Sequence, residues 1–170
     1  DDIPNTGETT TYGSNTWTDY NTGITTYRDG TAIPHVQDQT IWKELKTGAW
    51  CYYDNYRNDD PNYGKLYNWY AVNDSRGLCP NGWDVPTDGE WTELTDFLGG
   101  SAYAGTPLKA SPADSPGWNG TNQSGFSALP GGSRTNYDGV FYNAGNFGFW
   151  WSSSPSGGDA WYRYLGYNDP

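Results

Sequence analysis

A helical pattern is clearest between residues 87 and 100. Apolar side chains recur on one face of a helix at Trp91, Leu94, Phe97 and Leu98. Thr87 and Glu90 have the spacing of a capping box, in which each side chain accepts a hydrogen bond from the other residue's main chain. Because the pair Gly99-Gly100 ends the pattern, we predict a helix that begins after Thr87 and ends before Gly99.

Two other segments have weaker helical patterns. Residues 63–72 place apolar side chains around the whole helix rather than on one stripe, which predicts a largely buried helix. Asp38 is a suitable N-cap for a short helix over residues 39–46, and Gly48 ends it. No helix is predicted after residue 101.

Strand patterns account for much of the remaining chain. Residues 16–27 alternate in polarity up to a turn at Arg28-Asp29-Gly30-Thr31, and residues 49–53 form a short aromatic strand. Residues 101–170 are predicted to form short strands and long loops. We therefore expect an α+β protein with two substantial helices packed on small antiparallel sheets. Residues 1–15 are expected to be a polar tail or leader strand, and residues 16–170 one domain.

The composition narrows the functional classes. The formal net charge of −11 and the isoelectric point of about 4.1 argue against proteins that bind nucleic-acid phosphates or anionic membranes through lysine and arginine. The mean hydropathy of −0.88 is as low as in disordered chains. Ten tryptophans and fifteen tyrosines nevertheless indicate a folded protein.

Membrane insertion is not expected, because no apolar run approaches the roughly 18 residues of a spanning helix. The first residues also lack the basic and apolar pattern of a signal peptide. An exported form would therefore have lost that segment, or would reach the surface by another route such as virion assembly.

Side chains for catalysis or metal binding are sparse. His35 is the one histidine, and the sequence contains no serine elbow and no zinc motif. Asp54, Asp59 and Asp60 lie in one segment without the spacing of an EF-hand, which predicts a solvated loop rather than a calcium site. We expect no enzyme activity, no cofactor and no metal.

The cysteines are too few for a scaffold of their own. Cys51 and Cys79 make neither a disulfide framework nor a four-ligand zinc site. A bridge between the two is left open, because spacing alone does not fix its geometry.

The last 35 residues contain eleven aromatic side chains among glycines and serines. Trp150, Trp151 and Trp161 are expected to point into the core, since large aromatics dominate core burial. The side chains that alternate with them are expected to point outward and form a ligand-binding surface. They are Tyr142, Asn146, Phe149, Asp159, Tyr162, Tyr164 and Tyr167. Ordinary packing or an oligomer contact is the alternative for these aromatics.

Four blocks along residues 16–170 resemble a known family. The first two are Tyr27-Arg28-Asp29-Gly30-Thr31-Ala32-Ile33-Pro34 and Tyr63-Gly64-Lys65-Leu66-Tyr67-Asn68-Trp69-Tyr70-Ala71-Val72. The third is Gly77-Leu78-Cys79-Pro80-Asn81-Gly82-Trp83-Asp84-Val85-Pro86-Thr87-Asp88-Gly89-Glu90-Trp91. The fourth is Ser124-Gly125-Phe126-Ser127-Ala128-Leu129-Pro130-Gly131-Gly132, with Trp150-Trp151-Ser152-Ser153 and Trp161-Tyr162-Arg163-Tyr164-Leu165. Together they resemble the Fibrobacter succinogenes major paralogous domain.

The resemblance implies a C-type lectin fold, which is also the scaffold of variable proteins diversified by retroelements. In those systems template adenines are mutated, so asparagine codons become tyrosine, serine, aspartate, glycine and other residues. The residues between Trp150, Trp161 and Leu165 belong to that set. Formylglycine-generating enzymes share the fold but use cysteines late in the chain, whereas Cys51 and Cys79 lie early.

The function implied by the resemblance is non-enzymatic binding of a ligand or receptor, as in phage tail and surface adhesion proteins. The expected partner is a protein or glycan on a target cell surface. The expected location is extracellular, on a virion or a cell surface, as an oligomer or attached to a larger assembly. The alternative is a carbohydrate-binding or adhesion module of the same family with fixed specificity.

Overall fold

The structure, a computed structural model, describes residues 9–55 and 63–170. These residues form a mixed α/β arrangement with short helices and four two-stranded antiparallel sheets. The helices are α1 (Gln39–Glu44), α2 (Trp69–Val72), α3 (Asp88–Phe97) and α4 (Gly105–Leu108). The strands are β1 (Thr9–Tyr12), β2 (Asn15–Thr18), β3 (Trp50–Cys51), β4 (Leu66–Tyr67), β5 (Ser133–Arg134), β6 (Phe141–Tyr142), β7 (Phe147–Ser156) and β8 (Asp159–Gly166).

Helix α3 forms where the capping box predicts it. The Thr87 hydroxyl accepts a hydrogen bond from the Glu90 amide at 3.2 Å, and a Glu90 carboxylate oxygen accepts one from the Thr87 amide at 2.7 Å. Trp91 and Leu94 are buried, whereas Phe97 is 62% exposed. The buried face of α3 is therefore narrower than the sequence pattern suggests.

Helix α1 confirms the predicted N-cap but is shorter than expected. The Asp38 carboxylate accepts a hydrogen bond from the Ile41 amide at 2.8 Å. The helix ends at Glu44 because Leu45 turns to an extended conformation. Trp42 is its buried side chain.

The prediction of one helix over residues 63–72 is wrong. Leu66–Tyr67 is strand β4, which pairs with β3. Asn68 starts the helix only at residue 69, because its side-chain oxygen accepts hydrogen bonds from the amides of Ala71 and Ala49, each at 3.0 Å. The strand pairing is a long-range contact, and it overrides the local helical pattern.

The expectation of no helix after residue 101 is also wrong, although the exception is a single turn. Helix α4 has no side-chain cap, and its Leu108 amide donates to the Ala104 carbonyl at 3.1 Å. Leu108 is buried. A helix of four residues is too short to leave a periodic pattern in the sequence.

The predicted strand over residues 16–27 is largely absent. Only Asn15–Thr18 is a strand, and Thr26 forms an isolated bridge with Ala32. Strand β2 pairs with β1 in a hairpin, and the Tyr12 side chain of β1 is buried. Residues 9–15 of the expected tail or leader strand thus lie in this hairpin, and residues 1–8 lie outside the described part.

Two large hydrophobic clusters and one small one form the interior. The first core cluster consists of Tyr12, Trp17, Trp91, Leu94, Ala104, Leu108, Ala110, Trp118, Phe126, Ala128 and Leu129. The second core cluster consists of Ile24, Tyr27, Ile33, Trp50, Tyr67, Ala71, Val72 and Leu78. The small cluster consists of Trp42, Ala49 and Cys51. The β7–β8 hairpin contacts both large clusters, because Trp150 and Leu165 pack on the first and Trp151 packs on the second.

Both cysteines are free thiols, so the bridge left open above is not formed. Burial raises the pKa of Cys51 to about 11. Burial, assisted by the Asp84 carboxylate, raises the pKa of Cys79 to about 11. Within residues 9–55 and 63–170, no helix combines the length and the apolar character needed to cross a membrane.

Candidate ligand-binding surface

The longest sheet is the β7–β8 hairpin, which carries most of the C-terminal aromatics. Phe149 stands opposite Tyr164, and Trp151 stands opposite Tyr162. Between Trp151 and Pro155 the register shifts, so that three residues of β7 face the single residue Trp161 of β8. Such a bulge bends a strand and increases its twist.

One face of this hairpin is a row of aromatic rings. Side chains of one strand alternate between the two faces, so residues opposite each other share a face. We call this row the aromatic ladder. It consists of Phe147, Phe149, Trp151, Tyr162 and Tyr164. Neighbouring ring centroids lie 6.1–6.5 Å apart and the rings are mostly tilted.

The opposite face of the hairpin is held by the protein interior. Trp150 and Leu165 pack on the first core cluster, and the Trp150 indole nitrogen donates to the Asn21 side-chain oxygen at 3.1 Å. The Arg163 guanidinium forms an ion pair with Asp88 and donates to the Thr92 hydroxyl at 3.1 Å. The ladder face is held by the interior only at Trp151, which packs on the second core cluster, and it is open at Tyr162 and Tyr164.

Three of the seven predicted site residues lie together on the ladder. Tyr162 and Tyr164 are 51% and 55% exposed, and Phe149 is half-buried between them and Phe147. The three rings line part of an open groove of about 1380 Å³ that also reaches Trp17, Trp91 and Phe126 of the first core cluster, so the volume does not belong to the ladder alone. They offer apolar ring faces together with two phenolic hydroxyls, which suits recognition of a mixed polar and apolar ligand.

Asn146 and Tyr167 are exposed at the end of the hairpin where β7 begins. The Tyr167 amide donates to the Asn146 carbonyl at 2.8 Å, so the two residues are neighbours there. Asp159 begins β8, and its side chain lies outside the part that the structure describes.

Tyr142 lies in a different hairpin from the ladder. It is exposed on β6, and its hydroxyl donates to the Asp138 carboxylate at 2.8 Å. This hydrogen bond raises the pKa of Tyr142. The hydroxyl of Thr135, the Val140 amide and the Tyr142 hydroxyl together lower the pKa of Asp138. In the described residues, no ring contact joins Tyr142 to the ladder.

The expectation that Trp161 points inward is wrong. Its side chain is 50% exposed, whereas Trp150 and Trp151 are half-buried against the core clusters as expected. Trp161 stands opposite the bulge, so β8 meets three residues of β7 at that point and the regular alternation is broken. The exposed Trp161 also lines the groove.

Phe147 and Trp69 were not among the predicted site residues. Phe147 occupies the same face as Phe149, two residues away, so strict alternation along β7 could have identified it. The Trp69 ring lies 5.8 Å from that of Trp151 and extends the row toward α2. No sequence signal identifies Trp69, because its contact depends on the packing of α2 against β7.

The described residues contain no group of three or more histidine, cysteine or acidic side chains placed to hold a metal ion. His35 lies on the surface and its ring stacks on that of Trp50 at 4.0 Å. Burial and the positive charge of Lys65 lower the pKa of His35.

The sequence profile of the Fibrobacter succinogenes major domain matches residues 10–168. The chain belongs to this family. The match includes the hairpin, both large core clusters and β1 from its second residue. No match was found among curated proteins or among solved structures.

The second and third blocks that resemble the Fibrobacter succinogenes major domain contact Trp151, at one end of the ladder. The Trp91 indole nitrogen of the third block donates to the Trp151 carbonyl at 3.2 Å. The Trp151 indole nitrogen donates to the Tyr67 carbonyl of the second block at 2.8 Å. The family's aromatic blocks thus fix the strand that carries the ladder.

Proposed function

We propose that this domain binds a ligand through the aromatic ladder and catalyses no reaction. The observation that carries the proposal is the difference between the two faces of the β7–β8 hairpin. One face is anchored by Trp150, Arg163 and Leu165, and the other exposes Tyr162 and Tyr164. The exposed rings of Tyr162 and Tyr164 can change without loss of the core, which is the requirement for a recognition surface.

We further propose that the scaffold is of the C-type lectin type and that a retroelement diversifies the ladder positions Phe149, Tyr162 and Tyr164. Short helices, small antiparallel sheets and long loops support such a scaffold. Random substitution is compatible with exposed positions, where a change usually costs about 0.5 kcal/mol or less. Core truncations typically cost about 2–5 kcal/mol and would not survive it. The domain would then act on a virion or cell surface, with a protein or glycan of a target cell as its partner.

The neighbouring DNA tests the diversification directly. A reverse-transcriptase gene beside a near-repeat of the 3′ coding region is expected, and the two copies should differ at adenines of the template. The differing codons should include those of Phe149, Tyr162 and Tyr164 and should leave out those of Trp150 and Leu165. A coding region with no such repeat favours an adhesion or carbohydrate-binding module of fixed specificity.

Binding itself is tested with ladder variants. The double variant Tyr162→Ser/Tyr164→Ser should lose binding to target cells or to arrayed glycans while keeping its fold. The matched control is Tyr103→Ser together with Tyr137→Ser, because these tyrosines are also strongly exposed and lie outside the hairpin. Equal loss in both double variants, or loss in neither, contradicts a role for the ladder.

A further inference from the structure

The outer edge of β8 has main-chain groups to which no other described residue bonds. In an antiparallel pair, opposite residues alternately exchange hydrogen bonds and turn their main-chain groups away from each other. The Phe147 amide donates to the Asn143 carbonyl at 2.9 Å, and its carbonyl accepts from the Gly132 amide at 2.8 Å. Phe147 and its partner Gly166 therefore form a pair turned away from each other.

The same alternation fixes the next two pairs along the hairpin. Phe149 with Tyr164, and Trp151 with Tyr162, are two and four residues further along β7 and are also turned away. The hydrogen bond of the Trp151 carbonyl is consistent with this alternation, because this carbonyl points away from β8 and accepts from the Trp91 indole nitrogen. The main-chain groups of Tyr162 and Tyr164 consequently point to the outer edge of β8.

The protein supplies partners at one outward position of this edge and not at the other two. The Gly166 amide donates to the Asp169 carboxylate at 2.6 Å, and its carbonyl accepts from the Lys109 ammonium at 3.2 Å. Within the described residues, the outward amides and carbonyls of Tyr162 and Tyr164 have no such partner. Their side chains are the most exposed rings of the ladder.

We propose that an extended, basic segment of a partner protein pairs with β8 through the main chains of Tyr162 and Tyr164. Two residues of a strand span about 6.8 Å, and only another extended main chain offers a donor and an acceptor at that repeat. Alternate side chains of the added strand would lie beside Tyr162 and Tyr164, on the same face of the sheet as the aromatic ladder. This inference rests on the proposed binding function and names the partner class of the same surface.

The net charge of the chain favours a foreign segment over a second copy of this chain. The formal net charge is −11, so two copies repel each other, whereas a lysine- or arginine-rich segment is attracted. Of the described basic side chains, Arg28, Arg76 and Arg163 already pair with carboxylates of the same chain. The chain as a whole keeps an acidic excess, which attracts a basic partner.

The experiment uses the whole 170-residue chain and a phage-displayed library of random 12-residue peptides. Selected peptides should carry net positive charge, and backbone amide exchange measured by NMR should slow at Tyr162 and Tyr164 when they bind. The amide of Arg163 serves as the internal control, because it already pairs with β7. Recovery of no peptide that protects these two amides overturns the proposal.

A matched pair of variants separates the main chain from the ring. Tyr164→Ala removes the ring alone. Tyr164→Pro also removes the outward amide hydrogen, and an edge strand accepts proline at a position where the amide points outward. Tyr164→Pro should bind the selected peptides about tenfold more weakly than Tyr164→Ala, as expected for one lost hydrogen bond with an unpaired partner. The melting temperatures of the two variants verify that both fold, and equal affinities overturn the proposal.

The outcomes distinguish this inference from the ladder function. Peptides that need the rings but leave the two amides exchanging freely keep the ladder and overturn strand addition. Peptides that protect the amides but tolerate Tyr162→Ser/Tyr164→Ser keep strand addition and overturn the ladder. Protection of both amides in a peptide-free dimer, detected by light scattering, overturns the foreign partner in favour of a second copy.

Discussion

Trp150 and Trp151 are adjacent in β7, yet their indole nitrogens bond on opposite sides of the hairpin. Trp150 donates to the Asn21 side chain at 3.1 Å, and Trp151 donates to the Tyr67 carbonyl at 2.8 Å. One ring packs on the first core cluster and the other on the second. Two consecutive residues thus join the two halves of the interior.

Removal of Trp150 should therefore be far more costly than removal of Trp161. We expect Trp150→Ala to lower the free energy of unfolding by about 3 kcal/mol, at the lower end of the range for large core truncations because the ring is half-buried. Trp161→Ala deletes the same side chain at an exposed position and should cost less than about 1 kcal/mol. Urea denaturation followed by fluorescence measures both, and similar losses would show that Trp161 is not free of the core.

The ladder should tolerate substitution. Tyr162→Ser and Tyr164→Ser each remove an exposed ring and weak cross-strand ring contacts, so each should cost less than about 1 kcal/mol. Thermal unfolding of the single and double variants checks this. A collapse of the double variant at room temperature would mean that these rings belong to the core.

The ammonium of Lys109 should hold the end of β8 in place. Lys109 is buried, and its ammonium donates to the carbonyls of Gly166, Tyr167 and Asp169 at 3.2, 3.3 and 2.5 Å. Lys109→Met keeps the length of the side chain but leaves these carbonyls without their donor, which should cost about 2–3 kcal/mol.

Lys43→Met is the matched control for Lys109. Its ammonium lies 4.0 Å from the Glu44 carboxylate at the surface, so the change should be nearly neutral. Equal effects of the two substitutions on the urea midpoint would refute the role assigned to Lys109.

Both thiols should be unreactive in the folded protein. With pKa values of about 11, Cys51 and Cys79 are far less ionised at pH 8 than an ordinary cysteine. Alkylation by iodoacetamide should be about 100-fold slower than for a free thiol and should become complete in denaturant. Mass spectrometry of the unreduced protein should find two alkylated cysteines after denaturation. A mass lower by two hydrogens with no alkylation would reveal a disulfide instead.

Asp74 should contribute to stability above pH 4. The Arg76 guanidinium donates to both carboxylate oxygens at 2.8 and 2.7 Å and lowers the pKa of Asp74 to about 2. A lowered pKa means that this stability is present above the unfolded value near 4 and is lost as the pH falls toward 2.

The melting temperature of Asp74→Asn should accordingly fall less between pH 4 and pH 2 than that of the wild type. Arg76→Gln should flatten the same interval, because it removes the partner that lowers the pKa of Asp74. If both variants keep the wild-type slope, this ion pair does not contribute to the acid sensitivity of the fold.

Local signals in the sequence were sufficient for α1 and α3. Asp38 and the pair Thr87 and Glu90 are caps that act within one turn, so their effect is visible without the rest of the chain. Strand β4 depends on pairing with β3, about 16 residues earlier, and that contact leaves no local pattern. The helix predicted over residues 63–72 was wrong for this reason.

The ladder was only partly predictable for a similar reason. Alternation along β7 or β8 separates two faces within each strand, but the register between strands decides which faces coincide. The bulge opposite Trp161 changes that register inside the hairpin, and no residue pattern in the sequence predicts this bulge. Phe149, Tyr162 and Tyr164 share one face, whereas Trp161 is exposed rather than directed inward as predicted.

The bulge has a consequence for how this hairpin can evolve in length. Three residues of β7 lie opposite the single residue Trp161 of β8, so β7 contains two more residues than β8 at this point. Inserting a single residue between Phe147 and Trp151 would move the β7 residues on one side of the insertion to the opposite face of the sheet. Trp150 would then leave the first core cluster and join the face of Tyr162 and Tyr164. Insertions of two residues preserve the assignment of faces. Among homologous genes, changes in the length of this strand should consequently accumulate in multiples of six nucleotides.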